Sequence, residues 1–399
     1  MTAPTILGQL SGLYEMQQHL LESRSSEVCA KQYHPDLASL NWYFGRGVYL
    51  ELYWLREFLN GDNDLSSRVE RLFKPGEMDL ETQCQQLPPT DHLLNWGMEI
   101  RDEHLRLLAT SGSLPQHPLM ENDRLAWYLL QEQAKLYELM LIVINQHNLS
   151  QQDQNYLSLQ PLQPADPSWQ TKELSQGHYR IGAREDPRAY DNELPPQAVE
   201  LSSYRIALSP VTNAQFLTFM QANGYQQQSN WSEPGWAWQV EHQAEHPEYW
   251  QQDKIGNWYE IALNGPTQLP PDEPVTGINL YEAQAFANWA ARQDARFSGA
   301  VLQHEYQWEM AARSGVLPNS GRAWEWCSNP LHGYPEFQPF PDEATSVSAF
   351  EDQSQVLKGG SLHTQKVLRR ASFRHWTKPA ERHHLTTARL VFPAIHKWN

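Results

Sequence analysis

One stretch of the chain combines an almost wholly apolar surface with charged side chains at helical spacing. It covers Arg124 to Gln146, where leucine, methionine and valine surround most of a helix, as expected for a helix buried in a bundle. Glu132 and Leu136 are four residues apart and share a face, and Lys135 and Glu138 lie within a turn of them. A carboxylate on this face can bind a metal ion or pair with a cation, so this helix is where the question of function is concentrated.

Two histidine pairs offer a second kind of metal chemistry. His242 and His246 are four residues apart with Glu245 beside them, so they could share a helix face. Chance spacing in an exposed segment rich in Gln, Glu and Trp is the simpler interpretation. His383 and His384 are adjacent, and adjacent side chains point in different directions along any regular element. We therefore expect no metal at either pair.

Composition excludes several classes of function. The 399 residues suffice for two or three domains, and the formal charge of -17 argues against binding to nucleic acid or to an anionic membrane. No run of about 18 apolar residues spans a bilayer, and the first ten residues lack the pattern of a secretory signal, so a cytoplasmic location is expected. Cys29, Cys84 and Cys327 are too far apart to suggest a disulfide framework or a thiolate metal site.

The elements that position these residues fall into two regions. Amphipathic helices are predicted over Ile6 to Ser25, Leu37 to Asn60 and Pro88 to Thr110, and the stretch described above is the fourth. Four such helices predict a helical bundle over residues 1–150. Residues 151–171 are rich in Gln, Pro and Ser, lack periodicity, and are expected to be a linker.

Residues 172–399 have a different texture, with short apolar runs, turns and many Trp, Gly and Pro. Helices are predicted over Thr212 to Asn223, with Thr212 as N-cap and Gly224 as C-cap, over Tyr281 to Arg292, and over Glu305 to Arg313. The whole chain is therefore expected to be α+β with two domains, the second loop-rich. A cluster of aromatic residues in this region is expected to be mostly core, with some members lining a ligand cleft: Trp231, Trp236, Trp238, Trp250, Trp258 and Tyr259.

Separated motifs in this second region resemble, in order, those of the formylglycine-generating enzymes, also called sulfatase-modifying factors. The resemblance implies their loop-rich, C-type-lectin-like fold over residues 172–399. The helix LQHEYQWEMAAR at residues 302–313 is similar to the family's LPTEAEWEKAAR, with Gln303 and His304 departing from it. The other matching segments are Tyr190–Glu193, Pro210–Phe216, Gly224–Tyr225, Pro274–Gly277, Tyr281–Ala283, Ala323–Trp326, Lys358–Ser361, Arg370–Arg374 and Arg389.

Coupled to a helical N-terminal region, this domain resembles the ergothioneine-type sulfoxide synthases. The resemblance implies a DinB-like four-helix bundle and an Fe(II) ion held by three histidines, one from a W-H-x-G-H motif and two from H-E-x-x-H-x-E. It also implies oxidative carbon–sulfur bond formation between a thiol and a histidine derivative. Residues four apart present two imidazoles on one helix face, and the third arrives from a facing helix.

This sequence differs from the family at each of the three ligands. Arg46 ends the segment Trp42-Tyr43-Phe44-Gly45-Arg46 at the first position, Glu132 and Leu136 replace the other two histidines, and Glu138 is kept. Arginine has no lone pair for a metal and leucine has no ligand atom. We therefore expect no bound metal, with Fe(II) as the family's cofactor only, and an ion pair between Arg46 and Glu132 in its place.

The implied substrate-binding residues have also changed. The family's tyrosine before the glycine pair is absent between Tyr334 and Gly359, with Thr345 as its counterpart, and its R-N-W segment appears as Arg374-His375-Trp376. The candidates for a ligand cleft are Glu138, Trp324, Arg374, His375 and Trp376. The cysteine pair used by formylglycine-generating oxidases is missing from Ser361–Gln365, and Cys327 is expected to be buried and unreactive.

Two hypotheses follow, and the sequence identifies no catalytic residue for either. The first is a non-catalytic relative that binds a small molecule, such as a thiol or a histidine derivative, or a protein partner. The second is an active, divergent oxidoreductase with altered metal ligation or substrate. Loss of all three ligands beside intact scaffold motifs favours the first.

Overall fold

A computed structural model of the protein divides the chain into two compact units. The first comprises Met1–Gln152 together with the short segment Gln365–Leu368, and the second comprises Asp153–Thr364 and Arg369–Asn399. No described helix is both long and apolar enough to cross a membrane. The structure describes residues 5–110, 112–151, 156–318, 320–341, 346–351 and 354–394.

The described part of the first unit is built from α-helices. Hydroxyl side chains begin several of them: Thr5 accepts a hydrogen bond from the Gly8 amide, and Ser39 accepts one from the Trp42 amide, which satisfies groups that a helix start leaves open. The four predicted long helices are confirmed to within about a turn at each end, where the second is an α-helix continued by a π-helical stretch. The helices are α1 (Ile6–Glu22), α2 (Ser26–Ala30), α3 (Leu40–Glu51), α4 (Ser66–Phe73), α5 (Leu80–Gln85), α6 (Thr90–Ala109) and α7 (Arg124–Ser150), with a π-helical stretch, Leu52–Phe58, directly after α3 and a 3-10 stretch, Pro118–Asp123, before α7.

The long helices α1, α3, α6 and α7 pack against one another, with α1 and α3 each contacting both α6 and α7. The contact of α3 with α6 is close because Gly97 of α6 has no side chain: a Cβ atom there would lie 2.5 Å from the Phe44 ring. The contact of α3 with α7 is also close, since a Cβ atom on Gly47 would lie 2.5 Å from the Gln133 amide oxygen. Two small residues of this kind set how near the helices approach.

The second unit is built around two four-stranded sheets. One has the order β1-β4-β13-β8, and the other has the order β11-β10-β9-β12, in which β12 runs parallel to β9. A two-stranded sheet pairs β2 with β3, and a three-stranded sheet has the order β5-β6-β7. The strands are β1 (Thr171–Leu174), β2 (Gly177–Ile181), β3 (Gln197–Leu201), β4 (Tyr204–Ala207), β5 (Trp250–Gln252), β6 (Trp258–Ala262), β7 (Gly265–Thr267), β8 (Val301–Leu302), β9 (Trp324–Pro330), β10 (Gln355–Lys358), β11 (His375–Thr377), β12 (Thr386–Ala388) and β13 (Leu390–Pro393).

The helices of the second unit agree with the sequence in position and differ in detail. Thr212 caps α8 as predicted, but the residue with left-handed backbone at its C-terminus is Asn223, with φ 56°, and not Gly224. The Gly224 amide instead donates to the Phe219 carbonyl at 2.9 Å, which closes the helix end. Two helices were not predicted, α9 (Glu233–His242) and α12 (Val347–Glu351). The helices are α8 (Asn213–Gln221), α9 (Glu233–His242), α10 (Leu280–Ala290), α11 (Glu305–Arg313) and α12 (Val347–Glu351).

Most of the aromatic cluster is core, as predicted. Trp250 is fully buried, and Trp231, Trp238 and Tyr259 are at most 8% exposed. Trp238 belongs to α9, and its ring lies 6.2 Å from that of Trp231. No helix was predicted over Glu233–His242, because apolar and polar positions in α9 do not segregate to opposite faces.

Buried ion pairs join distant segments of the second unit. Each has a glutamate that is at most 2% exposed and an arginine or lysine from a segment at least 49 residues away in sequence. Breaking such a pair leaves an uncompensated charge in a low-dielectric interior, which is strongly destabilising. The pairs are Glu193–Arg370, Glu282–Arg382, Glu305–Arg374, Glu309–Lys358 and Glu325–Arg389.

Candidate functional site

Arg46, which the resemblance implies stands at the first of three ligand positions, is held by α3 against the end of α4. Its Nη1 atom donates to the carbonyl oxygen of Phe73 at 3.0 Å, and Phe73 is the last residue of α4. A guanidinium placed there satisfies a carbonyl that the helix end leaves open and interacts favourably with the helix dipole. Burial lowers the pKa of Arg46, and attraction to Glu132 opposes this effect. The position therefore holds a permanent cation.

Glu132, at the second position, lies on α7 with a lysine one turn away. Its Oε1 atom is 2.7 Å from Lys135 Nζ, and the two side chains are 15% and 23% exposed. Attraction between Glu132 and Arg46 raises the pKa of the arginine, while the ion pair at contact distance is the one with Lys135. The Lys135 ammonium neutralises this carboxylate without a metal ion.

The third position and the retained glutamate complete this face of α7. Leu136 is 8% exposed and has no ligand atom, and Glu138 is 7% exposed. Among the described residues, neither Glu132 nor Glu138 belongs to a set of three His, Cys or carboxylate side chains with donor atoms within 4.8 Å of one another. The side chains at the family's ligand positions do not fit an iron ion.

A buried polar network in the first unit was missed by the sequence analysis. Gln133 Nε2 donates to Glu51 Oε1 at 2.6 Å, and Arg101 Nη2 donates to Gln17 Oε1 at 2.6 Å and to Gln133 Oε1 at 3.1 Å. The second carboxylate oxygen of Glu51 lies 3.1 Å from His104 Nδ1. These side chains are at most 3% exposed and come from α1, α3, α6 and α7. The sequence indicated these residues only in one way, because each is a polar residue on a helix face that is otherwise apolar.

The expectation that Arg374 lines a ligand cleft is wrong. Its side chain is 1% exposed, and its Nε and Nη2 atoms donate to Glu305 at 2.8 and 2.9 Å. Its Nη1 atom donates to the Asn192 carbonyl at 2.6 Å. Arg374 therefore holds the interior together and has a structural role.

The other candidates on β11 are separated by the strand itself. His375 and Trp376 are neighbours on β11, and successive side chains of a strand point to opposite faces. The His375 ring lies 4.7 Å from the Trp324 ring, whereas Trp376 packs against the buried group around Cys327 and Val356. Trp324 is only 2% exposed. Of the two β11 candidates, His375 is the one whose ring contacts Trp324, and His375 itself is partly buried.

His383 and His384 contradict the expectation that their rings diverge. They lie in the irregular segment between β11 and β12, where the alternation of a regular element does not apply, and their ring centroids are 4.5 Å apart. Both are buried, with Glu381 beside them. The His384 ring is also 5.8 Å from the His375 ring. His242 and His246, by contrast, do not share a helix face, because α9 ends at His242 and Gln243 has left-handed backbone.

Thiol chemistry finds no support in the structure. Cys327 is buried, as expected, and burial raises the pKa of its thiol well above the usual range. His363 follows the glycine pair in the segment where the oxidases carry cysteines, and burial lowers its pKa to about 4. Thr345, the counterpart of the family's tyrosine, lies outside the described residues.

Comparisons with known proteins agree with this architecture. Residues 163–320 match the family model of the Sulfatase-modifying factor enzyme 1-like domain. The chain is 29% identical to a hercynine oxygenase of Mycolicibacterium thermoresistibile over 252 residues, which covers 53% of this chain and 56% of that protein. It is 30% identical to the hercynine oxygenase of Mycolicibacterium smegmatis over 260 residues, covering 53% of this chain and 58% of that protein.

A formylglycine-generating enzyme of Thermomonospora curvata is a third relative, 30% identical over 155 residues, covering 35% of this chain and 47% of that protein. The chain thus spans little more than half the length of the hercynine oxygenases it matches. The matched segment contains the ion-paired glutamates of α10 and α11. Residues 163–320 are thus similar to the Sulfatase-modifying factor enzyme 1-like domain, and the chain is similar over about half of its length to the hercynine oxygenases.

Proposed function

We propose that this protein is a non-catalytic relative of the iron-dependent sulfoxide synthases, with a degenerate metal position and a binding or regulatory role. The observation that carries the proposal is the set of contacts at the three family ligand positions. Arg46 binds the end of α4, Glu132 pairs with Lys135, and Leu136 is buried without a ligand atom. The arrangement satisfies these side chains by packing and ion pairing, where the family uses a metal.

Electrostatics supports the same conclusion. A guanidinium cannot lose its proton in a protein, so Arg46 repels a divalent cation at every accessible pH. Lys135 adds a second positive charge 2.7 Å from the one carboxylate that remains. Iron binding at this position would have to displace Lys135 from Glu132 and overcome repulsion by Arg46, with no imidazole to compensate.

Within this proposal, the packed helices α1, α3, α6 and α7 form a DinB-like four-helix bundle, and the second unit has the C-type-lectin-like fold of the formylglycine-generating enzymes. The ligand is a small molecule, a thiol or a histidine derivative, or else a protein partner. The buried thiols of Cys29, Cys84 and Cys327 are free, which suits the reducing cytoplasm.

Iron reconstitution tests the proposal. The purified chain would be loaded with Fe(II) without oxygen, desalted, and compared with the Glu132→Gln variant by metal analysis. We expect equal iron contents, because Glu132 is not a ligand. Stoichiometric iron that disappears in Glu132→Gln would overturn the proposal.

A matched gain of function sharpens this test. Restoring the family's residues with the triple change Arg46→His, Glu132→His and Leu136→His replaces a cation, a carboxylate and an inert side chain by three imidazoles. We expect this variant to bind one equivalent of iron beyond the parent content. A triple variant that is folded, as judged by circular dichroism, but gains no iron would contradict our placement of the former site.

The second candidate is an active oxidoreductase with altered metal ligation. The cluster of Glu381, His383 and His384 favours it, because these side chains are of metal-binding types. Oxygen uptake with cysteine, γ-glutamylcysteine and histidine betaine separates the two candidates. We expect no uptake above that of Fe(II) in buffer, and turnover that depends on a protein side chain would establish the enzyme.

A further inference from the structure

Three side chains of the second unit converge on one point between β11 and β12. The donor atoms of Glu381, His383 and His384 all lie within 4.8 Å of one another. Glu381 Oε2 is 3.7 Å from His384 Nε2 and 3.9 Å from His383 Nε2. His383 is 2% exposed and His384 is 6% exposed, so both imidazoles are largely removed from water.

Arg382, which lies between Glu381 and His383 in the sequence, anchors the segment that carries the three side chains. Arg382 donates to Glu282 through Nε and Nη2, each at 3.0 Å, and to Glu248 at 3.4 Å. The guanidinium is thereby held in the interior. Its backbone position fixes the two residues that flank it, Glu381 and His383.

Hydrogen bonds from outside the cluster orient its members. The Thr377 hydroxyl donates to Glu381 Oε2, and the Tyr249 hydroxyl donates to the His383 carbonyl. The Thr386 amide donates to the His384 carbonyl at 2.8 Å. The Thr377 contact reaches a ligand side chain, and contacts of that kind fix the orientation of metal ligands in known sites and support their affinity, while the other two fix the backbone of the histidines.

The spacing of the donor atoms fits a shared ion better than direct pairing. A charge-assisted hydrogen bond between imidazole and carboxylate would bring the atoms to about 2.7–2.9 Å, and both separations here are about an ångström longer. Ligands about 2.0–2.2 Å from a tetrahedral metal are roughly 3.3–3.5 Å apart. A contraction of a few tenths of an ångström would therefore bring Glu381 and each histidine to the spacing of ligands on one ion.

The chemistry of the donors selects the class of ion. Neutral imidazole suits zinc, iron, copper and nickel, while calcium and magnesium prefer oxygen ligands throughout. Two histidines and one glutamate occur in zinc sites that keep an open position and in facial-triad iron sites. We propose that Glu381, His383 and His384 bind one divalent first-row transition-metal ion of the zinc class.

This inference is independent of the proposed function, because none of the three residues belongs to the family's ligand positions. Three protein ligands leave at least one coordination position open. A thiolate or carboxylate of a small molecule could occupy it. The His375 ring is close to the cluster, with its centroid 5.8 Å from that of the His384 ring.

Zinc titration of the full chain tests the site. Tag-free protein would be stripped with a chelator, exchanged into metal-free buffer and titrated with Zn²⁺ by calorimetry, with the bound metal counted afterwards. We expect saturation at one equivalent and at least a tenfold weaker affinity in Glu381→Gln, His383→Gln and His384→Gln. The exposed histidines give matched controls, and His178→Gln and His332→Gln should bind as the parent does.

Loss of binding could also arise from a misfolded variant, so a milder change is included. Thr377→Val keeps all three ligands and removes only the hydroxyl that orients Glu381. We expect it to fold normally, as judged by circular dichroism without metal, and to bind zinc about 10-fold more weakly. A parent chain without a saturable site, or folded ligand variants that bind zinc as tightly as the parent, would overturn the inference. Glu132→Gln should keep the zinc site, which separates this test from that of the proposed function.

Discussion

At the residue scale, one carboxylate holds three parts of the second unit. Glu325 accepts hydrogen bonds from Arg389 at 2.7 and 2.8 Å, from Trp308 Nε1 at 2.9 Å and from Gln303 at 3.0 Å. Both Glu325 and Arg389 are fully buried. The glutamate neutralises the guanidinium and satisfies two further donors, so its charge cannot be removed without consequence for its neighbours.

We expect Glu325→Gln to lower the free energy of unfolding by about 3–5 kcal/mol, because it leaves the Arg389 charge buried without compensation. Urea denaturation followed by circular dichroism measures the loss. The control is Glu273→Gln at the Glu273–Arg322 pair, whose side chains are 40% and 45% exposed. An exposed pair contributes about 0–1 kcal/mol. Equal losses in the two variants would refute a structural role for Glu325.

At the element scale, glycines with different surroundings make opposite contributions to helix stability. A Cβ atom on Gly97 of α6 would lie 2.5 Å from the Phe44 ring, whereas one on Gly12 of α1 would meet no heavy atom within 4 Å. Alanine is favoured over glycine in a helix by about 1 kcal/mol. Overpacking of a core costs about 1–3 kcal/mol.

We therefore expect Gly97→Ala to destabilise the protein by about 1–2 kcal/mol and Gly12→Ala to stabilise it by about 0.5–1 kcal/mol. Thermal unfolding of the two variants beside the parent gives the comparison. Stabilisation by both changes would mean that α3 and α6 are not in close contact at Gly97.

The elements also show what periodicity can and cannot predict. The long helices of the first unit and the N-cap at Thr212 were predictable, because an apolar stripe and a hydroxyl before it are local signals. The left-handed residue of α8 was assigned to Gly224 by composition, yet Asn223 takes that conformation. Gly224 is instead required by proximity, since a Cβ atom there would lie 2.2 Å from the Phe219 ring.

Two features that the sequence analysis did not predict, the contact of His383 with His384 and the buried polar network of the first unit, depend on tertiary contacts. The nearness of His383 and His384 depends on an irregular segment anchored by Arg382, and no local pattern encodes that path. The network of Glu51, Arg101 and Gln133 depends on three helices meeting, although each residue was visible as a polar interruption. The choice of Lys135 as the contact partner of Glu132 was local and could have been predicted from its i,i+3 spacing.

At the scale of the whole molecule, net charge limits the possible partners. The formal charge is -17 at pH 7 and the sequence pI is about 5.4. Phosphate backbones require clustered lysine and arginine, and some of the basic residues here, such as Lys358, Arg374 and Arg389, are committed to buried ion pairs.

We expect the protein to pass unretained through a heparin column at pH 7.5 and low salt, and to bind an anion exchanger under the same conditions. A basic protein run in parallel confirms that the heparin is competent. Retention on heparin that weakens as salt is raised would contradict this expectation and reveal a basic surface.

The division into two units depends on contacts along the whole chain and not on any short segment. The change in texture after residue 150 was apparent from composition alone, and the structure separates the units at residues 152 and 153. Composition gave no sign that Gln365–Leu368 groups with the first unit, because a four-residue segment has too few positions to show a pattern.

The buried ion pairs of the second unit have a consequence for how such domains diverge. Most of the segments that match the family motifs contribute at least one member of a pair: Glu193, Glu282, Glu305, Glu309, Glu325, Lys358, Arg370, Arg374 and Arg389. Many of the residues by which the sequence resembles the family are therefore residues that neutralise charge in the interior of the domain. A domain of this kind can replace its reactive side chains and still keep these motifs. The motifs therefore indicate a stable fold, and they do not indicate which reaction, if any, the domain catalyses.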